Sequence, residues 1–286
     1  MTKLSRILSA EKLVDGRILN MLGVQVFRTL MARAIYAGRS LFHRVEHKDD
    51  IAKLRQDGVL AIPNFMSEEK FEELRSRCLE IIDSQKPDVE KEMHGPNHTK
   101  YWSISLDNPS TAGLAELITN HTYILGLLKD AELREFHPLD FCAIEKLTQG
   151  SSSHEHDPET DLHSDTFFVT HKAWLYLSDA DEKSGYLKYV RRSNHLFLEQ
   201  LVSIYKHSLV QWPRSRRIDE KERTYLERKG MKEVGVKCRR NTLVISNTSG
   251  YHRRTMGIPG ENRLAVFFML RANPFGFSGP NRPVRP

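Results

Sequence analysis

Three observations give the chain an antiparallel β core, sandwich or jelly roll, flanked by helices: a mainly β protein of the α+β kind. From residue 133 onward, short runs rich in β-branched, aromatic and leucine residues follow one another: FCAIEKL, KAWLYLS, YLKYV, TLVIS and RLAVFFML. Polar turns rather than helices separate most of them, which argues against a doubly wound parallel sheet. The length of 286 residues, 39% of them apolar, suits one elaborated globular domain with a sizeable core.

The segments ahead of that region read in order as a helical N-terminal half. Residues 1–44 form an extension in which 17–44 is an amphipathic helix. Phe27, Leu30, Met31, Ala34 and Ile35 recur at helical spacing, with Arg28, Arg33 and Arg39 off that stripe. The stripe is expected to pack on the main domain, with peripheral contact to a membrane as the other reading. Asn20, Gln25 and the arginines interrupt the stretch, so it does not span a bilayer. Residues 48–84 read as a short helix, the strand GVLAI, a Pro63-Asn64 turn and a longer helix. Ser67 stands at the N-cap of that helix, with Glu68 and Glu69 in its first turn. A polar loop over 86–100 leads to the strand-like YWSISL and to short helices near 110–119 and 121–130. A charged helical insertion occupies about 195–235, and a Pro/Gly/Arg-rich tail begins at 272. The main domain is thus 45–271.

Charge is unevenly placed. Residues 1–44 carry eight Lys/Arg against two acids and residues 212–240 eleven against five, while 45–211 are net acidic. No basic groove with interleaved aromatics appears on a recognisable module, so nucleic acid is not expected as a partner. An anionic small-molecule substrate or an anionic membrane surface suits the basic ends better, beside the plain alternative of a solvated surface. Arg214, Arg216 and Arg217, after the stiff Trp212-Pro213, are candidates for the rim of a substrate pocket. Cys78, Cys142 and Cys238 are few, odd in number and far apart. They offer neither a disulfide framework nor a zinc CxxC, which points to a reducing, cytoplasmic setting. No signal-peptide pattern follows the basic start. Nothing in the pattern fixes an oligomeric state.

His163-Ser164-Asp165 is the chemically suggestive motif. In extended backbone, residues i and i+2 share a face, so imidazole and carboxylate converge. The motif opens into FFVTHKAWLYL, the start of a strand that must be buried. The same spelling at His47-Lys48-Asp49 lies in a charged helical stretch and is expected on a solvated surface. His154-Glu155-His156-Asp157 is expected as a loop flanking the first site. A second histidine would complete a facial triad, which leaves positions open on a non-haem iron. Among His171, His195, His207 and His252, the last stands out: it lies between the strands TLVIS and RLAVFFML. Eleven residues on, Arg263 opens the next strand, and a buried Arg there calls for an anionic partner. A dicarboxylate would give guanidinium a bidentate contact.

Residues 50–271 resemble the phytanoyl-CoA dioxygenase family of Fe(II)- and 2-oxoglutarate-dependent oxygenases. LRQDGVLAIPNFMSEEKFEELR is similar to that family's opening, LHSDTFFVTHKAWLYLSDADEKSGYLKYVRRSNHL to its central block, and NTSGYHRRTMGIPGENRLAVFFMLR to its closing block. The resemblance implies a double-stranded β-helix (cupin-like jelly roll) core buttressed by the N-terminal helices. It implies Fe(II) held by His163, Asp165 and His252, with O₂ and 2-oxoglutarate as cosubstrates and Arg263 on the distal carboxylate. Trp174 is a further cosubstrate candidate, and Phe167, Lys172, Arg254 and Arg214 are candidates for the substrate. The implied reaction is hydroxylation of an unactivated C–H bond with release of succinate and CO₂. Halogenating relatives replace the carboxylate that Asp165 supplies, so oxygenation is the expected chemistry. The chain departs from the pattern at Arg191-Arg192, at Asn194 and at Arg254, which suggests local anion binding by Arg253 or Arg254. A non-catalytic β-barrel binder and a zinc cupin-like enzyme are the alternatives.

Overall fold

The computed structural model describes residues 7–14, 16–92, 97–134, 142–150, 156–210, 216–270 and 273–276. In chain order the helices are α1 (Arg17–Met21), α2 (Val24–Phe42), α3 (Lys48–Asp57), α4 (Glu68–Ser84), α5 (Ala112–Thr119), α6 (Thr122–Glu132), α7 (Leu198–Leu209) and α8 (Glu220–Arg228). The strands are β1 (Val59–Ile62), β2 (Val89–Glu92), β3 (His98–Ser103), β4 (Cys142–Thr148), β5 (His163–Ser164), β6 (His171–Tyr176), β7 (Leu187–Val190), β8 (Arg216–Arg217), β9 (Glu233–Val236), β10 (Thr242–Asn247), β11 (His252–Arg254) and β12 (Asn262–Met269). They form a seven-stranded sheet, β1-β10-β6-β12-β4-β3-β2, and a five-stranded sheet, β8-β5-β11-β7-β9. Every pairing is antiparallel.

Alternation along the strands decides what each face of the large sheet does. Ala173 and Leu175 of β6, Leu243 and Ile245 of β10, Val266 and Phe268 of β12 and Ile144 of β4 turn to one side. There they meet Leu54 of α3, Phe71 and Leu74 of α4, Leu114 of α5 and Leu127 of α6 in the main core. Burying each of the Leu, Ile, Val and Phe side chains among them contributes roughly 1.5–3 kcal/mol. The residues between them face the smaller sheet. Register sets Phe267 against Trp174 and Ala265 against Tyr176. It also sets Arg263 and Thr99 against Leu147, and Tyr101 against Glu145. One face is therefore a helix-covered core, while the other carries the polar and aromatic groups of a cavity.

Two local readings need correction. The insertion over 195–235 is not helical throughout: β8 and β9 lie in it and form the two edges of the five-stranded sheet. Their runs of two and four residues are too short and too charged to show periodicity. His47 is not on a solvated surface. Its Nδ1 lies 2.9 Å from Asp130 Oδ2, while His43 Nε2 lies 2.9 Å from Asp130 Oδ1, so it ties the start of α3 to α6. Ser67 does precede α4, but its side chain makes no capping bond.

The N-terminal helix also packs the other way round from its apolar stripe. Phe27, Leu30 and Ala34 are exposed, and the buried residues of α2 are Gln25, Arg28, Thr29 and Ala32. Only Met31 and Ile35 of the expected stripe pack inward, beside Phe167, Phe168 and Phe275. Arg28 explains the inversion. Its Nε donates to Ile7 O at 2.7 Å, its Nη2 to Ser9 O and Glu11 O at 2.9 and 3.0 Å, and its Nη1 to Gln25 Oε1 at 2.7 Å. The guanidinium also lies 4.5 Å over the Phe167 ring. Carbonyls and a ring thus replace the water that burial removes, and burial lowers its pKa to about 10. Arg33 extends the docking by donating to Asn194 O and Ser249 Oγ. Among the described residues, no helix is long and apolar enough to cross a membrane.

Arg28→Met would strand three carbonyls of the 7–11 segment. It is expected to lower stability by about 3 kcal/mol, the scale of bonds to a charged donor, read by urea unfolding. Cleavage within residues 7–14 in limited proteolysis should rise in parallel. An unchanged midpoint and cleavage pattern would show that Arg28 does not anchor the extension.

Candidate metal centre

Residues His163 and His252 meet because β11 is flanked by β5 and β7, with His252 in register with both His163 and Tyr189. The imidazole centroids are 4.6 Å apart. Asp165 follows β5, its N–H donating to Thr248 O at 2.9 Å, so the β10–β11 turn also places the carboxylate. One ligand atom from each of His163, Asp165 and His252 lies within 4.8 Å of the others. His163 Nε2 is 3.7 Å from Asp165 Oδ1, and His252 Nε2 is 3.8 Å from Asp165 Oδ2.

Both rings are oriented from behind. Nδ1 of His163 lies 2.7 Å from Asp161 O, and Nδ1 of His252 lies 3.0 Å from Gly250 O. A carbonyl only accepts, so each Nδ1 carries the hydrogen, and both Nε2 lone pairs point into the cluster. His163 Nε2 is buried and makes no aligned hydrogen bond among the described residues. Burial and the neighbouring His163 push His252 down to about 4, so its imidazole is neutral at neutral pH. Burial opposes ionisation of Asp165, but Lys172, His252 and His163 hold it well below the usual carboxylate range. Lys172 Nζ stands 2.7 Å from Asp165 Oδ2. Two imidazole lone pairs and an anionic carboxylate converging in a buried place fit a divalent metal.

The turn before His252 is shaped by Tyr189. Its hydroxyl donates to Asn247 O at 2.8 Å, and a Cβ on Gly250 would come 2.0 Å from that hydroxyl oxygen. Glycine is needed at 250 for close approach.

In front of the cluster lies a cavity of about 670 Å³ lined by both sheets. The large sheet supplies Thr99, Glu145, Lys172, Trp174, Tyr176, Arg263 and Phe267 to its wall. Arg263 is buried, with Nη1 donating to Gly185 O at 3.1 Å and Nη2 3.7 Å from Glu145 Oε1. Its Nε, Trp174 Nε1 and Thr99 Oγ1 are buried with no hydrogen-bond partner among the described residues. Three unsatisfied donors facing one cavity imply an acceptor-rich occupant. Sequence reasoning nominated Arg263 and Trp174 and missed Thr99, Glu145 and Glu159. Period-two alternation in β3 marks Thr99, and a lone acid in the middle of FCAIEKL marks Glu145.

The other nominated residues are placed differently. Phe167 lies across Asp165, on a second cavity of about 400 Å³ lined also by Lys12, Gln25, Thr166, Ile204 and His207. Arg254 is half-buried against Asp157, with Nε 2.6 Å from Oδ2, and Arg253 forms a two-pronged pair with Glu233 at 2.8 and 2.7 Å. Arg216 is held by Glu222 at 2.5 Å and by Tyr251, and Arg217 donates to Pro158 O at 2.6 Å. Arg214, Trp212, Pro213, His154 and Glu155 lie outside the described residues. His171 is paired with Glu132 at 2.8 Å, and His195 lies 3.2 Å from Gln56 O.

No protein-family model matches the sequence, and no curated protein matches it either. The fold does have counterparts among solved structures. One is the epimerase SnoN in complex with Fe3+, alpha ketoglutarate and nogalamycin RO: TM-score 0.52, 16% identity, covering 78% of this chain and 82% of that one. Another is EctD from S. alaskensis with 2-oxoglutarate and 5-hydroxyectoine: TM-score 0.51, 11% identity, covering 84% of each chain. At such identities the likeness is one of fold, the jelly-roll core of Fe/2-oxoglutarate enzymes.

A methyl group at Gly250 must displace either the turn or Tyr189, and the turn carries His252. Gly250→Ala is expected to weaken Co(II) or Mn(II) binding about 10- to 100-fold, the range for lost ligand support. Metal titration followed by fluorescence or electron paramagnetic resonance reads it, and wild-type affinity would show that the turn does not set the ligand.

Proposed function

We propose that the chain is an Fe(II)- and 2-oxoglutarate-dependent oxygenase of the phytanoyl-CoA dioxygenase type. It hydroxylates an unactivated C–H bond of a small anionic molecule, using O₂ and releasing succinate and CO₂. The observation that carries this reading is the placement of His163, Asp165 and His252, Nε2 atoms inward, at a cavity that also holds the unsatisfied donors of Arg263, Trp174 and Thr99.

His163, Asp165 and His252 would hold the iron. The bound metal would supply the oxygen-activating redox chemistry, with the keto acid as co-reductant. The chain's own part is positional. Carbonyls of Asp161 and Gly250 fix the imidazoles, and Lys172 keeps Asp165 ionised. Arg263 Nε, Trp174 Nε1 and Thr99 Oγ1 would receive the distal carboxylate of the keto acid. The cavity across Asp165 is the proposed substrate pocket, with Phe167 as an apolar wall and Lys12 as a cation suited to an anionic group. Burial and the nearby Arg216 lower the pKa of His207, which lines the same cavity. Lys172 and Arg254, both nominated for substrate, are assigned instead to the charge balance of Asp165 and Asp157.

The reading extends to peripheral membrane contact through residues 17–44. Ile18, Met21, Leu22, Phe27, Leu30, Leu41 and Phe42 are exposed, with Arg17 and Arg44 exposed beside them. An apolar face flanked by cations suits an anionic bilayer surface. Co-sedimentation with phosphatidylglycerol vesicles, and its loss in Phe27→Ser/Phe42→Ser, supports it. Equal recovery with and without vesicles, or self-association lost in that variant, overturns it.

Stoichiometric succinate formation with Fe(II), 2-oxoglutarate and O₂ tests the reaction class, since neither a passive β-barrel binder nor a zinc enzyme makes succinate from 2-oxoglutarate. Arg263→Ala removes charge-assisted bonds of roughly 1.5–3 kcal/mol. It should raise the 2-oxoglutarate requirement about tenfold to a hundredfold while leaving metal affinity within about threefold. An unchanged 2-oxoglutarate titration removes Arg263 from the role.

A further inference from the structure

One carboxylate beside the cluster has no part in the reading above. Glu159 sits in a single 3₁₀ turn, Pro158–Thr160, four residues before His163. Its Oε2 lies 3.3 Å from His163 Nε2, closer than either histidine nitrogen approaches Asp165. It also lines the 670 Å³ cavity.

The tautomer makes this contact informative. With its Nδ1–H given to Asp161 O, the neutral tautomer of His163 carries its lone pair at Nε2. Glu159 Oε2 and Asp165 Oδ1 present lone pairs to the same nitrogen, which is buried and without an aligned hydrogen-bond partner. Three acceptors around one buried point repel unless a cation stands among them. Metal–ligand distances of about 2.1 Å place neighbouring ligands of a six-coordinate ion about 3.0 Å apart, and opposite ones about 4.2 Å. The Glu159–His163 separation therefore suits two adjacent ligands of one ion.

The turn is built to hold Glu159 there. The Asp157 side chain caps it, accepting from Glu159 N at 3.0 Å. Asp157 is itself fixed by Arg254 at 2.6 Å and Asn97 at 2.8 Å. Arg217 and Arg253 hold the carbonyls of Pro158 and Thr160 at 2.6 and 3.5 Å. Three arginines that read in the sequence as anion binders brace one turn instead.

We propose that Glu159 is a fourth protein ligand of the metal when no keto acid is bound, and that it leaves that position when 2-oxoglutarate arrives. The inference rests on the metal-centre reading above and concerns a residue beyond its triad. It makes the resting site four-liganded, which retains the metal between turnovers and makes cosubstrate binding an exchange of carboxylate for keto acid.

The test is anaerobic Mn(II) and Co(II) titration of wild type and Glu159→Gln, with and without saturating 2-oxoglutarate. Without cosubstrate, the variant should bind metal about tenfold or more weakly. With cosubstrate the gap should close to within about threefold, and 2-oxoglutarate should bind the Co(II) protein of the variant more tightly than that of wild type. Asp157→Asn, which loosens the turn but keeps Glu159, should shift metal affinity the same way by less. Equal affinities without cosubstrate overturn the proposal. So does tighter metal binding by Glu159→Gln, the mark of a plain His–Glu ion pair that competes with metal. An equal loss in both conditions also overturns it, since Glu159 then only supports His163. Absence of metal binding by wild type sinks the metal-centre reading itself, and this inference with it.

Discussion

Crowding of lone pairs in a buried place is the constraint that organises the molecule. His163 and His252 each give Nδ1–H to a carbonyl two residues back, so both Nε2 atoms must face inward. Asp165 adds negative charge at the same point. Such a cluster is unfavourable without a cation, because burial removes the water that would otherwise solvate it. The structure answers in part with Lys172, whose ammonium reaches Asp165 from strand β6 of the opposite sheet. The remaining places are where a metal would stand. Much of the surrounding polar architecture reads as support: Tyr189 shapes the turn before His252, and the Asp157–Arg254 pair fixes the turn before His163.

The two sheets supply different halves of this arrangement. The five-stranded sheet is short-stranded and carries the ligands, because the register of β5, β11 and β7 puts both histidines opposite one another. The seven-stranded sheet has longer strands and is packed by helices on one face, and its other face lines the cavity. Alternation on a pinned sheet places Lys172, Trp174 and Arg263 to within side-chain reach, since a one-residue slip would bury them among the helices. Precision in the site thus follows from apolar packing on the far side of the same strands.

Much of this was legible in the sequence, for identifiable reasons. The β texture after residue 133 survives because each core strand is a compact apolar run, and His163-Ser164-Asp165 opens directly into one. Arg263 was legible because a charge at the head of RLAVFFML contradicts its surroundings. What failed to show was long-range and compensated. The helix α2 buries Arg28 and exposes Phe27, since three carbonyls from residues 7–11 make a buried guanidinium acceptable, and no periodicity encodes those carbonyls. β8 and β9 are edge strands of two and four residues that need a partner strand to exist at all.

The basic residues teach the same lesson about charge. An excess of Arg in 212–240 and the Arg253-Arg254 pair read as a surface for anions. Arg216, Arg217, Arg253 and Arg254 instead each meet a partner from the protein: Arg216 with Glu222, Arg217 with Pro158 O, Arg253 with Glu233, Arg254 with Asp157. Net charge along the chain cannot anticipate this, because the acids that neutralise these arginines lie up to 97 positions away. Positive charge spent on bracing turns leaves less for diffuse attraction of substrate. Under the proposed function, selectivity for an anionic substrate would then rest on groups that line the pocket rather than on the field of the insertion.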